Sequence, residues 1–299
     1  MDKSFLITTG NQHQYVYSDA LCYFLYVPEE MATVMEHMDA SLVDRTNYYE
    51  RKLKFLKEHC FFEKRGVTFQ TDYSEELVKR NLAGLRQLLI EVTDRCNLEC
   101  KYCGYGEFYS NYDRRETGDQ AFENVKLLVD YLTKLWCSDY NVSHKNEITI
   151  GFYGGEPLLN MKLVKETIAY IESLNLPSLI FNYNTTTNAM LLDRYMDYLV
   201  EKNFSILISL DGNEVQSAYR VDKHGNSSFS RVVRNVKKLQ ETYPDYFEKK
   251  VNFNSVLHNL NSVAECYYSI KELFGKNPRM AQLNTTGLIP VSYTHLTLP

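Results

Sequence analysis

The chain has 299 residues, is 44% hydrophobic and 24% charged, and carries a formal net charge of -5. Those values are ordinary for a globular protein, and the length suits one barrel-sized domain with a small appendage. They exclude a disordered chain, and the acidic balance, with basic residues interleaved among acidic ones, gives no electrostatic footprint for nucleic acid. No apolar run reaches membrane-spanning length, and the N-terminus MDKSFLITTGNQHQYVYSD lacks a signal-peptide core. The expectation is a cytoplasmic protein with neither nucleic acid nor membrane as partner.

In chain order, Gln14–Val27 predicts one or two strands, 29–38 a helix, and 48–59 a second helix rich in Lys and Glu. Residues 1–80 thus read as a small α+β module. From Leu88 the pattern changes to repeated strand, loop and amphipathic helix. Leu88–Thr93 leads to apolar residues at helical spacing from Phe122 to Trp136, and 148–153 to a helix carrying Leu163, Val164, Ile168 and Ile171. Strands at 179–183, 204–210 and Val251–Leu257 are each followed by a further helical pattern, and 280–283 is a sixth strand candidate. This rhythm predicts an α/β fold, a partial (β/α)6 barrel of parallel strands, over 81–290. Ligands of such folds gather at the carboxyl ends of the strands.

The last residues, Val291–Pro299, back-translate to a start GTC TCT TAT ACA CAT CT, which resembles a transposon adapter used in sequencing libraries. The natural chain is therefore expected to have been cut near Pro290, with 291–299 an assembly artefact, and nothing is read into His295.

The cysteines concentrate the chemistry. Seven is an odd number, which argues against a disulfide framework, and three of them lie in CNLECKYCGYG as Cys96, Cys100 and Cys103. Cys22, Cys60, Cys137 and Cys266 stand singly and are expected to be inert, partly buried thiols. The triplet admits a zinc site short of a fourth ligand, scattered core thiols, or an iron-sulfur cluster with one open iron. Density and the polar Asn97, Glu99 and Lys101 between the cysteines favour the cluster. The loop, with Tyr102 before its last cysteine and a strand before its first, resembles the signature of the radical S-adenosylmethionine (SAM) superfamily.

That resemblance implies a [4Fe-4S] cluster on Cys96, Cys100 and Cys103, whose free iron takes the amino and carboxylate groups of SAM. It implies reductive cleavage of SAM to a 5'-deoxyadenosyl radical, so an electron donor such as flavodoxin or ferredoxin is an expected partner. Gly154-Gly155-Glu156-Pro157, after the second strand, resembles the family motif that contacts the SAM amino group. Its glycines would let the backbone approach the ligand, and its carboxylate could accept from the ammonium. Thr187-Asn188-Ala189 resembles the family's Thr-Asn-Gly turn but departs from it at Ala189. Ser209-Leu210-Asp211-Gly212, with Tyr219-Arg220 and Gly225–Phe229 downstream, resembles the segment near the SAM ribose and carboxylate. Ser209 is expected to donate a hydrogen bond there and Arg220 to pair with the carboxylate.

The same segment resembles the SPASM-type peptide and protein maturases, whose cysteine-rich extension would lie beyond the suspected cut. A ribosomally made peptide or protein is then the expected substrate, with residues 1–80 a possible leader-peptide recognition element that pairs an edge strand. The alternatives are an anaerobic sulfatase maturase that forms formylglycine and, from another class, a non-catalytic zinc-binding adaptor. The catalytic acid or base is not readable.

Overall fold

The structure, a computed structural model, describes residues 6–19, 21–36, 48–63, 73–106, 109, 118–143 and 146–284. The suspected artefact at 291–299 lies outside the described residues. The chain divides into two compact units, Met1–Asp72 and Tyr73–Pro299.

In the first unit, β1 (Leu6–Thr8), β2 (Gln14–Ser18) and β3 (Tyr23–Val27) form an antiparallel sheet in that order. Two helices follow, α1 (Glu29–Glu36) and α2 (Tyr48–Glu58). Val16, Val27, Met31, Leu53 and Phe61 make its small core. Tyr23, Phe24 and Tyr26 of β3 remain exposed, which leaves that strand aromatic on its open side.

The second unit opens with α3 (Glu75–Ala83), capped by the Ser74 hydroxyl, which accepts from the Leu77 N–H at 3.2 Å. The repeat then runs β4 (Gln87–Thr93), α4 (Phe122–Trp136), β5 (Glu147–Gly154), α5 (Met161–Ser173), β6 (Ile180–Thr187) and α6 (Leu192–Glu201). It continues with β7 (Ser205–Ser209), α7 (Phe229–Thr242), α8 (Pro244–Lys250), β8 (Val251–Leu257), α9 (Val263–Phe274) and β9 (Arg279–Gln282). The six strands β4 to β9 pair in parallel in sequence order, with β4 and β9 at the edges. This is the expected α/β architecture, and the weak sixth strand is real. Helices α3 and α8 were not foreseen. Pro244 at the start of α8 presets the helical φ at a position whose N–H needs no partner, a signal that the surrounding polar residues hid.

Parallel sheets are usually covered on both faces, so their strands read as continuous apolar runs. These strands alternate instead. Leu88, Ile90 and Val92 of β4, Ile206 and Ile208 of β7, and Val251 and Phe253 of β8 are buried in one core with the helices. Gln87, Glu91, Asn182, Ser205 and Asn252, on the other face, are exposed. The helix-covered face carries the core, and the other face mixes these polar residues with the exposed Leu89 and Ile180.

Candidate active site

The loop after β4 is held at both ends. The Thr93 hydroxyl donates to the Gly118 carbonyl (3.0 Å), the Gly118 N–H donates to Asp94 (2.8 Å), and Arg95 reaches both oxygens of Asp119 at 2.8 and 2.6 Å. Further on, the Glu99 N–H donates to Val221 O (2.8 Å) and the Lys101 N–H to Tyr219 O (3.0 Å). The segment that carries Arg220 therefore clamps the segment that carries Cys100. Cys96, Cys100 and Cys103 are half-buried and line one cavity of about 510 Å³. Gly155, Glu156, Asn188, Ser209 and Arg220 line the same cavity, so four strand ends bring the expected residues together.

The donor set suits a cluster. The Leu98 N–H lies 3.4 Å and Asn188 Nδ2 3.7 Å from Cys96 Sγ, contacts that favour a thiolate. Burial pushes the Cys100 thiol up to about 12, with Arg220 pulling it back and the two neighbouring cysteines adding to the rise. A thiol so placed needs a bound cation to ionise, which is what a metal ligand supplies and receives. Among the described residues no three His, Cys, Asp or Glu side chains converge on one ion. In a cubane each cysteine holds a different iron, so a looser triplet is the appropriate arrangement.

Behind the cavity lies Asp211, fully buried, a member of the segment expected near the SAM ribose and carboxylate that was given no role of its own. It accepts from Arg220 Nε and Nη2 at 2.9 Å each, from the Val256 N–H at 2.9 Å, and from the Tyr102 hydroxyl. His258 Nε2 lies 3.8 Å away. Burial alone would raise this carboxyl; the Arg220 charge, the nearby His258 and the hydrogen bonds from Arg220 and Tyr102 outweigh it and hold it at about 2. The expectation for Arg220 changes accordingly. It reaches the cavity wall, but two of its nitrogens are committed to Asp211 and its guanidinium lies 5.4 Å over the Tyr102 ring.

Glu156 differs from expectation in a similar way. Its carboxylate is 1% exposed and accepts from three protein donors: the Leu158 N–H (3.1 Å), the Thr187 hydroxyl (2.7 Å) and the Asn188 N–H (2.8 Å). Burial pushes its pKa up despite these bonds. The carboxylate ties the β5 exit to the β6 exit instead of standing open for an ammonium. Pro157 is buried at the first position of a short 3-10 turn, Pro157–Asn160, for which Glu156 is the cap. The glycines have a different reason as well. A Cβ on Gly154 would lie 2.1 Å from Thr93 O, and one on Gly155 2.2 Å from Arg95 O. The close approach they permit is to the backbone leaving β4. Replacing Gly155 with Ala is expected to destabilise the second unit by about 1–3 kcal/mol or more through backbone displacement, visible as a lowered thermal midpoint.

Asn188 is buried and links both neighbours: its Nδ2 donates to Asn97 Oδ1 at 2.7 Å, and its Oδ1 accepts from the Met190 N–H at 3.0 Å. Ala189 stands at φ 60, the left-handed conformation that glycine adopts freely, and is completely buried. Ala189→Gly would relieve roughly 1 kcal/mol of strain and lose a comparable methyl burial, so its thermal midpoint should stay within a few degrees of the parent. Ser209, at the end of β7, lines the cavity.

The single cysteines need correcting: Cys22, Cys60 and Cys137 are exposed, because they sit in turns and at helix ends, and only Cys266 is buried. Tyr102, Thr187 and Asp211 were missed as site residues. For Tyr102 and Asp211 a signal existed, since a polar tyrosine between two cysteines and an acid at a strand exit both call for a partner; which partner was not readable.

Residues 90–262, more than half of the chain, match the family described as the Radical SAM superfamily. An uncharacterised protein of Methanocaldococcus jannaschii is 34% identical over 146 residues, covering 48% of this chain and 45% of that one. The cysteine-type anaerobic sulfatase-maturating enzyme of Clostridium novyi is 27% identical over 168 residues, 55% of this chain and 43% of that enzyme. The chain thus spans less than half the length of these curated relatives. The solved structure of native anSMEcpe with bound AdoMet superposes with a TM-score of 0.56 at 22% identity, covering 70% of this chain and 58% of that one, and so shares the fold. No helix among the described residues is long and apolar enough to cross a membrane. With a cysteine triplet and a Gly-Gly-Glu loop converging above a parallel sheet of this topology, the chain belongs to the radical SAM superfamily.

Proposed function

We propose that this chain is the core of an enzyme that uses a [4Fe-4S] cluster and SAM to modify a ribosomally made peptide or protein. The observation that supports it most is the convergence of Cys96, Cys100 and Cys103 with the exits of β5, β6 and β7 on one cavity. When bound, the cluster and SAM supply a 5'-deoxyadenosyl radical that takes a hydrogen atom from the substrate. The chain's own contribution is positional. The three cysteines hold the cluster, Asn188 fixes the Asn97 side chain beside Cys96, and Ser209 and Arg220 present polar groups to the SAM carboxylate end. Gly154 to Pro157 set the loop that faces the SAM amino group, with Glu156 acting through the backbone it orders.

Relatives named as anaerobic sulfatase-maturating enzymes support a peptide or protein substrate. anSMEcpe has also been solved with a bound peptide, at a TM-score of 0.54. Formylglycine formation on a sulfatase is the second reading, favoured by those names. Residues 1–80 we assign to leader recognition through an edge of the β1–β3 sheet, and a flavodoxin or ferredoxin to electron supply.

The test is anaerobic reconstitution with iron and sulfide. Absorbance at roughly 400 nm and, with dithionite and SAM, release of 5'-deoxyadenosine are expected. Tetrahedral zinc retained in place of iron, with no SAM turnover, would favour the adaptor instead. A sulfatase-type cysteine peptide converted to an aldehyde would select the second reading.

A further inference from the structure

Asn188 stands in the turn after β6 and is held there before anything binds. Its N–H donates to Glu156 Oε2 at 2.8 Å, its Oδ1 accepts from the Met190 N–H at 3.0 Å, and the next N–H, of Ala189, donates to the Thr187 hydroxyl at 3.0 Å. The bond from Met190 fixes which way the amide faces: with Oδ1 on the backbone, Nδ2 must point at the cysteine loop. Both of its protons have a destination there, Asn97 Oδ1 at 2.7 Å and Cys96 Sγ at 3.7 Å, the second within reach of a sulfur acceptor. The Leu98 N–H reaches the same sulfur at 3.4 Å.

This is a rigid donor aimed at one thiolate. Both N–H groups of the amide are used, so none is left for the carboxylate or the ribose of SAM. A donor on a ligating sulfur places the positive end of a dipole beside the metal centre and interacts more strongly with the more negative redox state. Asn188 is 7% exposed, so little water competes for its protons.

We propose that Asn188 raises the reduction potential of the cluster through Cys96 and is not a contact for SAM. The amide stabilises the state that has gained an electron, which makes the one-electron reduction that precedes SAM cleavage easier. The inference rests on the cluster assignment of the proposed function and goes beyond it by giving Asn188 a role in setting when the centre accepts its electron.

The experiment uses the full chain, reconstituted anaerobically with iron and sulfide, as wild type, Asn188→Ala and Asn188→Ser. The serine hydroxyl can still accept from the Met190 N–H and keep the turn, but it ends one bond short of the amide nitrogen; alanine loses both contacts. Circular dichroism and iron content establish fold and loading. Without SAM, the protein is poised at a series of potentials with a chemical reductant, and the reduced form is read by electron paramagnetic resonance. SAM affinity of the oxidised protein is measured separately by equilibrium dialysis.

In both variants the reduction equilibrium should shift about tenfold towards the oxidised form, about 59 mV for one electron, while the dissociation constant for SAM stays within about twofold. An unchanged potential in a folded, loaded variant, a potential restored in Asn188→Ser, or SAM affinity lost with the potential unchanged would overturn the inference. Folded variants that take up no cluster would overturn it as well, since the role would then be structural. Asn188→Ser decides alone if Asn188→Ala does not fold. A wild type that itself takes up no cluster is a separate failure, which strikes the cluster assignment and this inference with it.

Discussion

Cys100→Ala is expected to abolish 5'-deoxyadenosine formation and the absorbance at roughly 400 nm that the proposed function requires, and Cys137→Ala to leave both intact. The contrast follows from position. Cys137 is an exposed thiol at the end of α4, whereas Cys100 sits at the centre of the triplet in the shared cavity. On the proposed reading, losing one of three thiolates would leave the cluster with two protein ligands, too few to keep three irons fixed and the fourth open for SAM. The fold should survive the change. Cys100 is only partly buried against the core, so removing its sulfur should cost about 1 kcal/mol, within reach of a domain of ordinary stability. Iron content, absorbance and SAM turnover should therefore fall together while circular dichroism does not change. Turnover retained in a folded Cys100→Ala protein would sink the cluster assignment.

Asp211→Ala should lower stability by about 3–5 kcal/mol, because it leaves the Arg220 guanidinium buried without its counter-charge. Tyr102 loses its acceptor in the same step, and Tyr102 lies between two of the proposed ligands, so cluster loading should suffer as well. The pH dependence carries a definite sign. The folded Asp211 carboxyl is held at about 2, below its ordinary 3.8, so its contribution is complete above that ordinary value and is lost as pH falls through about 2. In denaturant titrations the gap between parent and Asp211→Ala should be constant from about pH 5 to about pH 8 and narrow below about pH 4. A gap that widened in acid would contradict the ion-pair account. Asp211→Asn separates the terms: it keeps the shape and some hydrogen bonds, so a loss as large as that of Asp211→Ala would assign the effect to charge.

Strand and helix order was legible because burial on one face imposes a period that residues display locally. Leu88, Ile90 and Val92 alternate with Gln87, Leu89 and Glu91, and α4 repeats its apolar residues from Val125 through Leu132 at helical spacing. Helix α3 escaped notice because its sequence, EELVKRNLA, buries only Ala83 and so shows little apolar stripe. The cysteine triplet and the Gly-Gly-Glu-Pro run were legible for another reason: ligand spacing and tight turns are local properties of the chain.

What the sequence by itself determined is the set of strands, their parallel order, the loops that sit at their carboxyl ends and the residue types those loops carry. Only the tertiary structure decided who partners whom. Arg220 meets Asp211 nine residues away, Tyr102 meets Asp211 across 109 residues, and Glu156 spends its carboxylate on Thr187 and Asn188. Those pairings depend on how the strand ends fan over the cavity, and no local period encodes that distance.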